Sequence, residues 1–149
     1  MKVIIESASE VDLPLLADFL NELFSLEKDF IPDREKQLRG LSLIYASPQI
    51  GQLFVLRVDE KVVGMVNALI TVSTAEGARV LILEDVFVSK ELRGIGLGRS
   101  LVEHVLDWAR AQGLTRVTLL ADQDNQSALH FYRKLGFEHS HMTVLRKKM

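Results

Sequence analysis

The sequence predicts an α+β domain built around a mixed, mostly antiparallel central sheet with helices flanking it. Three observations carry this reading. Apolar runs of strand length fall between residues 53 and 88, each closed by a turn signal, and two helix-patterned stretches precede them. Beyond residue 96 helix and strand alternate, which adds a β-α-β-α half to the antiparallel strands.

The elements follow in order. Residues 3–6 read as a short strand, and Ser9 opens a helix with Asp12 at the capping-box offset. Leu13, Leu16, Phe19, Leu20 and Leu23 recur at helical spacing and should face the core. Residues 24–33 form an irregular segment ended by Pro32, and Asp33 caps a second helix over 34–46. Pro48 and Gly51 punctuate the exit, after which 53–58 and 62–72 form a hairpin about Asp59-Glu60-Lys61. Ala75-Glu76-Gly77 turns the chain into a strand over 81–88. A helix over 96–112, a strand over 115–121, a helix starting at Asn125 and a last strand near 143–147 complete the order β α α β β β α β α β.

Bulk properties narrow the function. A chain of 149 residues, 48% hydrophobic, suits one domain spanning 1–149 with a substantial core. A net charge of −2, mixed along the chain, argues against nucleic acid as a partner. The absence of cysteine excludes disulfides, thiolate nucleophiles and cysteine metal sites. His139 and His141 would share a strand face, but no third ligand accompanies them, so no metal is expected. The apolar run at the N-terminus is too short for a signal peptide, and no run approaches the roughly 20 residues that span a bilayer. A soluble cytoplasmic protein with no membrane partner is the expectation.

The chemistry begins at Arg93-Gly94-Ile95-Gly96-Leu97-Gly98, between a strand and a helix. Glycines there let successive backbone N–H groups converge, and the helix N-terminus favours negative charge, so the turn is an anion cradle, most simply for phosphate. The dinucleotide fingerprint G-x-G-x-x-G does not fit, since Arg99 or Leu101 occupies its last position, and no Gly-Lys-Ser or Gly-Lys-Thr exists. The spacing R-x-x-G-x-G does fit, at Arg93, Gly96 and Gly98.

That motif, followed by Asn125-Gln126-Ser127-Ala128 and by Phe131-Tyr132-Arg133-Lys134-Leu135-Gly136-Phe137, resembles the GCN5-related N-acetyltransferase (GNAT) superfamily over residues 80–137. The resemblance implies acetyl-coenzyme A as co-substrate, its pyrophosphate in the cradle, and a sheet splayed between its fourth and fifth strands. Unpaired backbone groups in such a gap can be satisfied by the pantetheine amides. Cofactor contacts are expected from Val86, Phe87 and Val88, from Arg93, Gly94, Gly96, Gly98, Arg99 and Ser100, and from Asn125 and Tyr132. Gly98 also admits a plain packing role and Arg93 a solvent-facing one. Asn125 has a sufficient role as a helix cap.

Acetyl transfer to an amine requires a group to take the amine's proton, a donor for the oxyanion and a proton for the departing thiolate. Leu83-Glu84-Asp85-Val86-Phe87-Val88 resembles the L-E-D-F-F-V run of spermidine/spermine acetyltransferases, which implies Glu84 as the base, acting through water. Alternation places Glu84, Val86 and Val88 on one face and Asp85 and Phe87 on the other. Glu84 could instead be an ion-paired strand carboxylate or a charge that attracts substrate. The Val86 N–H is the oxyanion donor by resemblance. Tyr132 is the candidate acid, because a phenol stays protonated beside a thiol whose pKa is about 8.5; aromatic packing is its other reading.

The acceptor site in this family lies between the first two helices. Glu27, Asp29 and Asp33 stand there among Phe24, Phe30 and Pro32, which suits a small cationic amine such as a diamine, polyamine or amino sugar. An ordinary solvated loop is the plain alternative. Acetylation of a protein lysine or N-terminus, or a non-catalytic acyl-coenzyme A binding module, are the competing functions. Related enzymes are often homodimers, which makes a second copy an expected partner.

Overall fold

A computed structural model describes all residues 1–149. The sheet contains β1 (Val3–Ser7), β2 (Gly51–Val58), β3 (Lys61–Ser73), β4 (Ala78–Val88) and β5 (Val117–Leu119), in that spatial order. The first four pair antiparallel and β5 lies parallel to β4. Helices α1 (Leu13–Leu26), α2 (Arg34–Tyr45), α3 (Leu97–Ala111) and α4 (Gln126–Lys134) cover it.

Period-two alternation sorts the core into two layers. In β2, Leu53 and Val55 pack under α1 and α2 with Leu16, Leu20 and Leu41, while Phe54 and Leu56 pack under α3 with Leu101, Val102 and Val105. β2 is therefore buried on both faces and reads as a continuous apolar run. Each fully buried Leu contributes about 1.5–3 kcal/mol. Asp12 is buried and takes the Ser9 N–H at 2.9 Å, yet residues 10–12 form a 3-10 turn, and α1 proper begins at Leu13. The reason lies across the sheet: Arg57 holds Asp12 at 2.8 Å. Desolvation opposes the charge on Asp12, but bonds from Ser9 and Arg57 outweigh it and lower its pKa.

Three boundaries differ from the sequence expectation. α1 continues to Leu26, three residues into the segment expected to be irregular. β5 is three residues long, pairing Leu81–Leu83 with Val117–Leu119, although a strand over 115–121 is expected. No strand forms near 143–147. The sheet ends at a β5 edge too short to template another strand, and Met142 and Leu145 lie 89% and 92% exposed. His139 and His141 thus lie in an irregular tail, with no strand face to share.

Candidate active site

On the α3 side, Gly94 and Gly96 adopt φ of 82° and 89°, a region that costs other L-residues about 1–2 kcal/mol. A Cβ at either would meet no atom within 4 Å, so the requirement is conformational. The first α3 hydrogen bond runs from the Ser100 N–H to the Gly96 carbonyl at 3.1 Å. The N–H groups of Leu97, Gly98 and Arg99 thus have no carbonyl within the helix and face outward at its positive end. This arrangement fits a pyrophosphate.

The side chains around it do other work than expected. Ser100 donates both its N–H and its hydroxyl to the Gly96 carbonyl. Arg93 is an exposed residue whose Nε donates to the Val88 carbonyl at 2.7 Å, and its guanidinium lies 5.5 Å from the Phe87 ring centre. It fastens the loop to β4. Arg99 pairs with Glu103 one turn on, at 2.7 Å. A Cβ on Gly98 would meet Phe131 at an ordinary 3.6 Å, so close packing does not demand that glycine. Asn125 Oδ1 accepts the Ala128 N–H at 3.0 Å, which makes it the cap of α4. Tyr132 packs edge-on between Phe131 and Phe137, and burial pushes its phenol up to about 12.

β4 carries the connection between the two halves. Its pairing with β5 stops at Leu83, while β4 continues to Val88, so the strands part there. On its other edge Glu84 stands opposite Asn67 and Phe87 opposite Met65, which leaves one extra residue in β4. That bulge sets Asp85 at φ 57°. It breaks the expected alternation at one place, between Glu84 and Asp85, so that Glu84 stands on the cavity side apart from Val86 and Val88. Val86 and Val88 face the α3 layer, Phe87 is buried in the α1 layer stacked on Phe19 at 4.7 Å, and Asp85 shares a cavity with Glu84. Phe87 can therefore offer a cofactor only its backbone.

The cavity, about 610 Å³, lies under α1 and α2 and is lined by Phe24, Asp29, Phe30, Asn67, Glu84 and Asp85, among others. Glu84 enters none of the seven ion pairs, which removes the paired-carboxylate reading. Asp85 takes a bond from Asn67 Nδ2 at 3.3 Å, as a structural role predicts, but burial, outweighing that bond and reinforced by Glu84, pushes its carboxyl up to about 6. Burial and the charges of Asp122, Asp85, Glu84 and Asp29 push Glu27 up to about 7. Asp29 is bound by Arg146 at 2.9 Å, and that guanidinium sits 5.6 Å from the Phe30 ring centre. Asp33 caps α2 through the Lys36 N–H at 3.2 Å. Lys28 pairs with Asp124.

Comparison with known proteins decides the family. A model of the acetyltransferase (GNAT) family matches residues 16–137. The chain belongs to that family. It is 34% identical over 86 residues to an uncharacterized N-acetyltransferase of Methanocaldococcus jannaschii, covering 57% of this chain and 38% of that protein. The matched stretch thus spans well under half the length of such curated relatives. A possible acetyltransferase from Clostridium difficile 630 superposes with a TM-score of 0.89 at 19% identity, covering 100% of this chain and 99% of that one. An acetyltransferase from Clostridium acetobutylicum, solved with acetyl-CoA, gives 0.80 at 13% identity, covering 98% and 96%. At these identities the two structures establish the fold, and the GNAT sheet with its β4–β5 splay is the fold present here.

Two residues of this GNAT site escape the sequence reading. Asn67 is 4% exposed, and its Oδ1 is buried without a partner. Asp85 enters the cavity only because of the bulge. A signal for Asn67 exists: it is the one polar side chain in the stretch Val62 to Ile70. Nothing in the sequence reports the bulge except two adjacent acids in a central strand.

Proposed function

We propose that the protein is an acetyl-CoA-dependent N-acetyltransferase that transfers directly to a small cationic amine. The observation that carries this reading is the bulged, splayed β4. It sets an anion cradle on the α3 side and an acidic cavity on the α1–α2 side at opposite flanks of one strand. Acetyl-CoA supplies an activated thioester acyl group. The backbone N–H groups before Ser100 hold its pyrophosphate, and Val86 presents the N–H suited to the developing oxyanion.

Glu84 takes the amine proton, directly or through a water. Amines of the alkyl type have a pKa near 10.4 and are mostly ammonium at pH 7, so this step is required. The free Glu84 carboxylate and the neighbouring acids support that role and the attraction of a cation. Tyr132 stays protonated throughout the physiological range, as its pKa of about 12 requires. It is a weaker acid than a free phenol and acts mainly by donating a hydrogen bond to the sulfur as charge grows there. With no cysteine in the chain, no thiol can carry the acyl group. The Leu83–Val88 run supports a diamine or polyamine within the amine class.

A protein lysine as acceptor is the second reading, favoured by the chain's own tail. Lys148 lines the cavity, which supports access by a lysine-bearing peptide. Thiol release from acetyl-CoA across a panel of diamines, amino sugars and lysine peptides tests both. Turnover with small amines is expected; turnover with peptides alone would favour the second reading, and none with any acceptor would remove the enzyme reading.

A further inference from the structure

Asn67 is the least explained polar residue in the fold. It sits mid-strand in β3, within the sheet, and an apolar residue there would leave no polar atom to satisfy. Its amide gives one N–H to Asp85 and leaves Oδ1 with nothing. A buried acceptor left without a donor costs about 1–3 kcal/mol. Asp85 adds to the cost: it is a largely buried carboxylate with only that one weak bond, at a φ of 57° that costs a non-glycine residue about 1–3 kcal/mol. These liabilities fall on two touching residues that line the same cavity. An orphaned acceptor beside an uncompensated carboxylate is what a cationic N–H donor would satisfy on both counts.

We infer that Asn67 and Asp85 form the seat of the acceptor nitrogen: Asn67 Oδ1 accepts one amine N–H while the Asp85 carboxylate balances the charge beside Glu84. The ligand class is a primary amine entering as its ammonium. This deepens the N-acetyltransferase reading and rests on it. It separates two tasks, because Glu84 removes the proton whereas Asn67 and Asp85 hold the nitrogen in place. The charged groups facing Asp85 are Glu84 on its own strand, Glu27 and Asp29 from the α1–α2 connection, Asp33 and Lys36 at the start of α2, and Lys148 of the tail. Asp29 and Asp33 are already engaged, by Arg146 and by the α2 N-terminus. The remaining carboxylates outnumber Lys36 and Lys148, so the pocket favours a cation.

Asp85→Asn tests the seat. The new amide keeps the shape, tolerates the left-handed backbone, removes the buried charge and can donate to Asn67 Oδ1. The expected results are a Tm several degrees higher than wild type at pH 8, a difference that shrinks at pH 5, where Asp85 is already protonated, and loss of the Tm rise that 1,4-diaminobutane gives the wild type without acetyl-CoA. In turnover, KM for the amine rises at least tenfold while KM for acetyl-CoA stays within twofold. Asn67→Leu removes the acceptor and should raise the amine KM similarly. Wild-type turnover with an amine KM that neither substitution moves would overturn the seat and leave the transferase standing. A diamine-induced Tm rise lost in Asp85→Asn, with no acetyl transfer by wild type, would do the reverse. Absence of any diamine-induced Tm rise in wild type, together with an unmoved Tm in Asp85→Asn, would also overturn the seat.

Discussion

The donor side and the acceptor side of this site are built from different materials. The donor side is backbone from one continuous stretch, residues 86–99, shaped by left-handed glycines and a helix N-terminus. The acceptor side is side chains gathered from the α1–α2 connection, β3, β4 and the C-terminal tail. Backbone N–H groups carry no titratable proton, whereas the cavity's carboxylates do. One half is therefore indifferent to pH and the other responds to it.

That difference has a definite sign. The folded-state pKa of Asp85 is raised from 3.8 to about 6, so the folded protein binds its proton more tightly than the unfolded chain. Stability from this group is full below about pH 4 and is lost as pH rises through about 6, a change on the order of 3 kcal/mol. Glu27 acts in the same direction up to about 7. Thermal melts between pH 4.5 and 7.5 should show this decline, and Asp85→Asn should flatten part of it, leaving the share due to Glu27. Tyr132, raised to about 12, adds nothing in that window.

Mutations can sharpen or break the contrast. The largest effect is expected from Tyr132→Phe, with kcat down about 100-fold and KM for acetyl-CoA unchanged in steady-state assays; an unaltered kcat would take Tyr132 out of the donor role. Gly96→Ala should raise the acetyl-CoA KM about tenfold and cost about 1–2 kcal/mol, leaving the amine KM alone. A shift in the amine KM instead would mean that the two sides are not separable. Glu84→Gln should lower the rate about tenfold near pH 6.5, where ammonium dominates, and less near pH 9.5; a loss independent of pH would reassign proton removal. The smallest effect belongs to Arg146→Ala, which breaks an exposed ion pair worth about 0–1 kcal/mol and should move neither KM by more than about twofold.

The same contrast explains what the sequence discloses. The glycine loop is a local pattern whose spacing alone locates the cradle, and the apolar periods of β2, β3 and α3 locate the core. Roles that depend on a distant partner are hidden. Nothing local reports that Ser100 bonds the Gly96 carbonyl or that Arg93 Nε bonds the Val88 carbonyl. Nothing near Asp29 in the chain reports that Arg146, more than a hundred residues away, stands beside it. Alternation fails between Glu84 and Asp85 because a strand's period holds only while its register does.

The extra residue in β4 shifts the strand by half a period, and so lets a single strand serve two compartments. Glu84 and Asp85, before the shift and within it, look into the amine cavity; Val86 and Val88, after it, look toward α3. Without the extra residue Val86 and Val88 would still face α3, but only one acid would face the cavity at this point. The anion cradle and the acidic cavity thus lie on opposite sides of the sheet and adjoin only where the register slips.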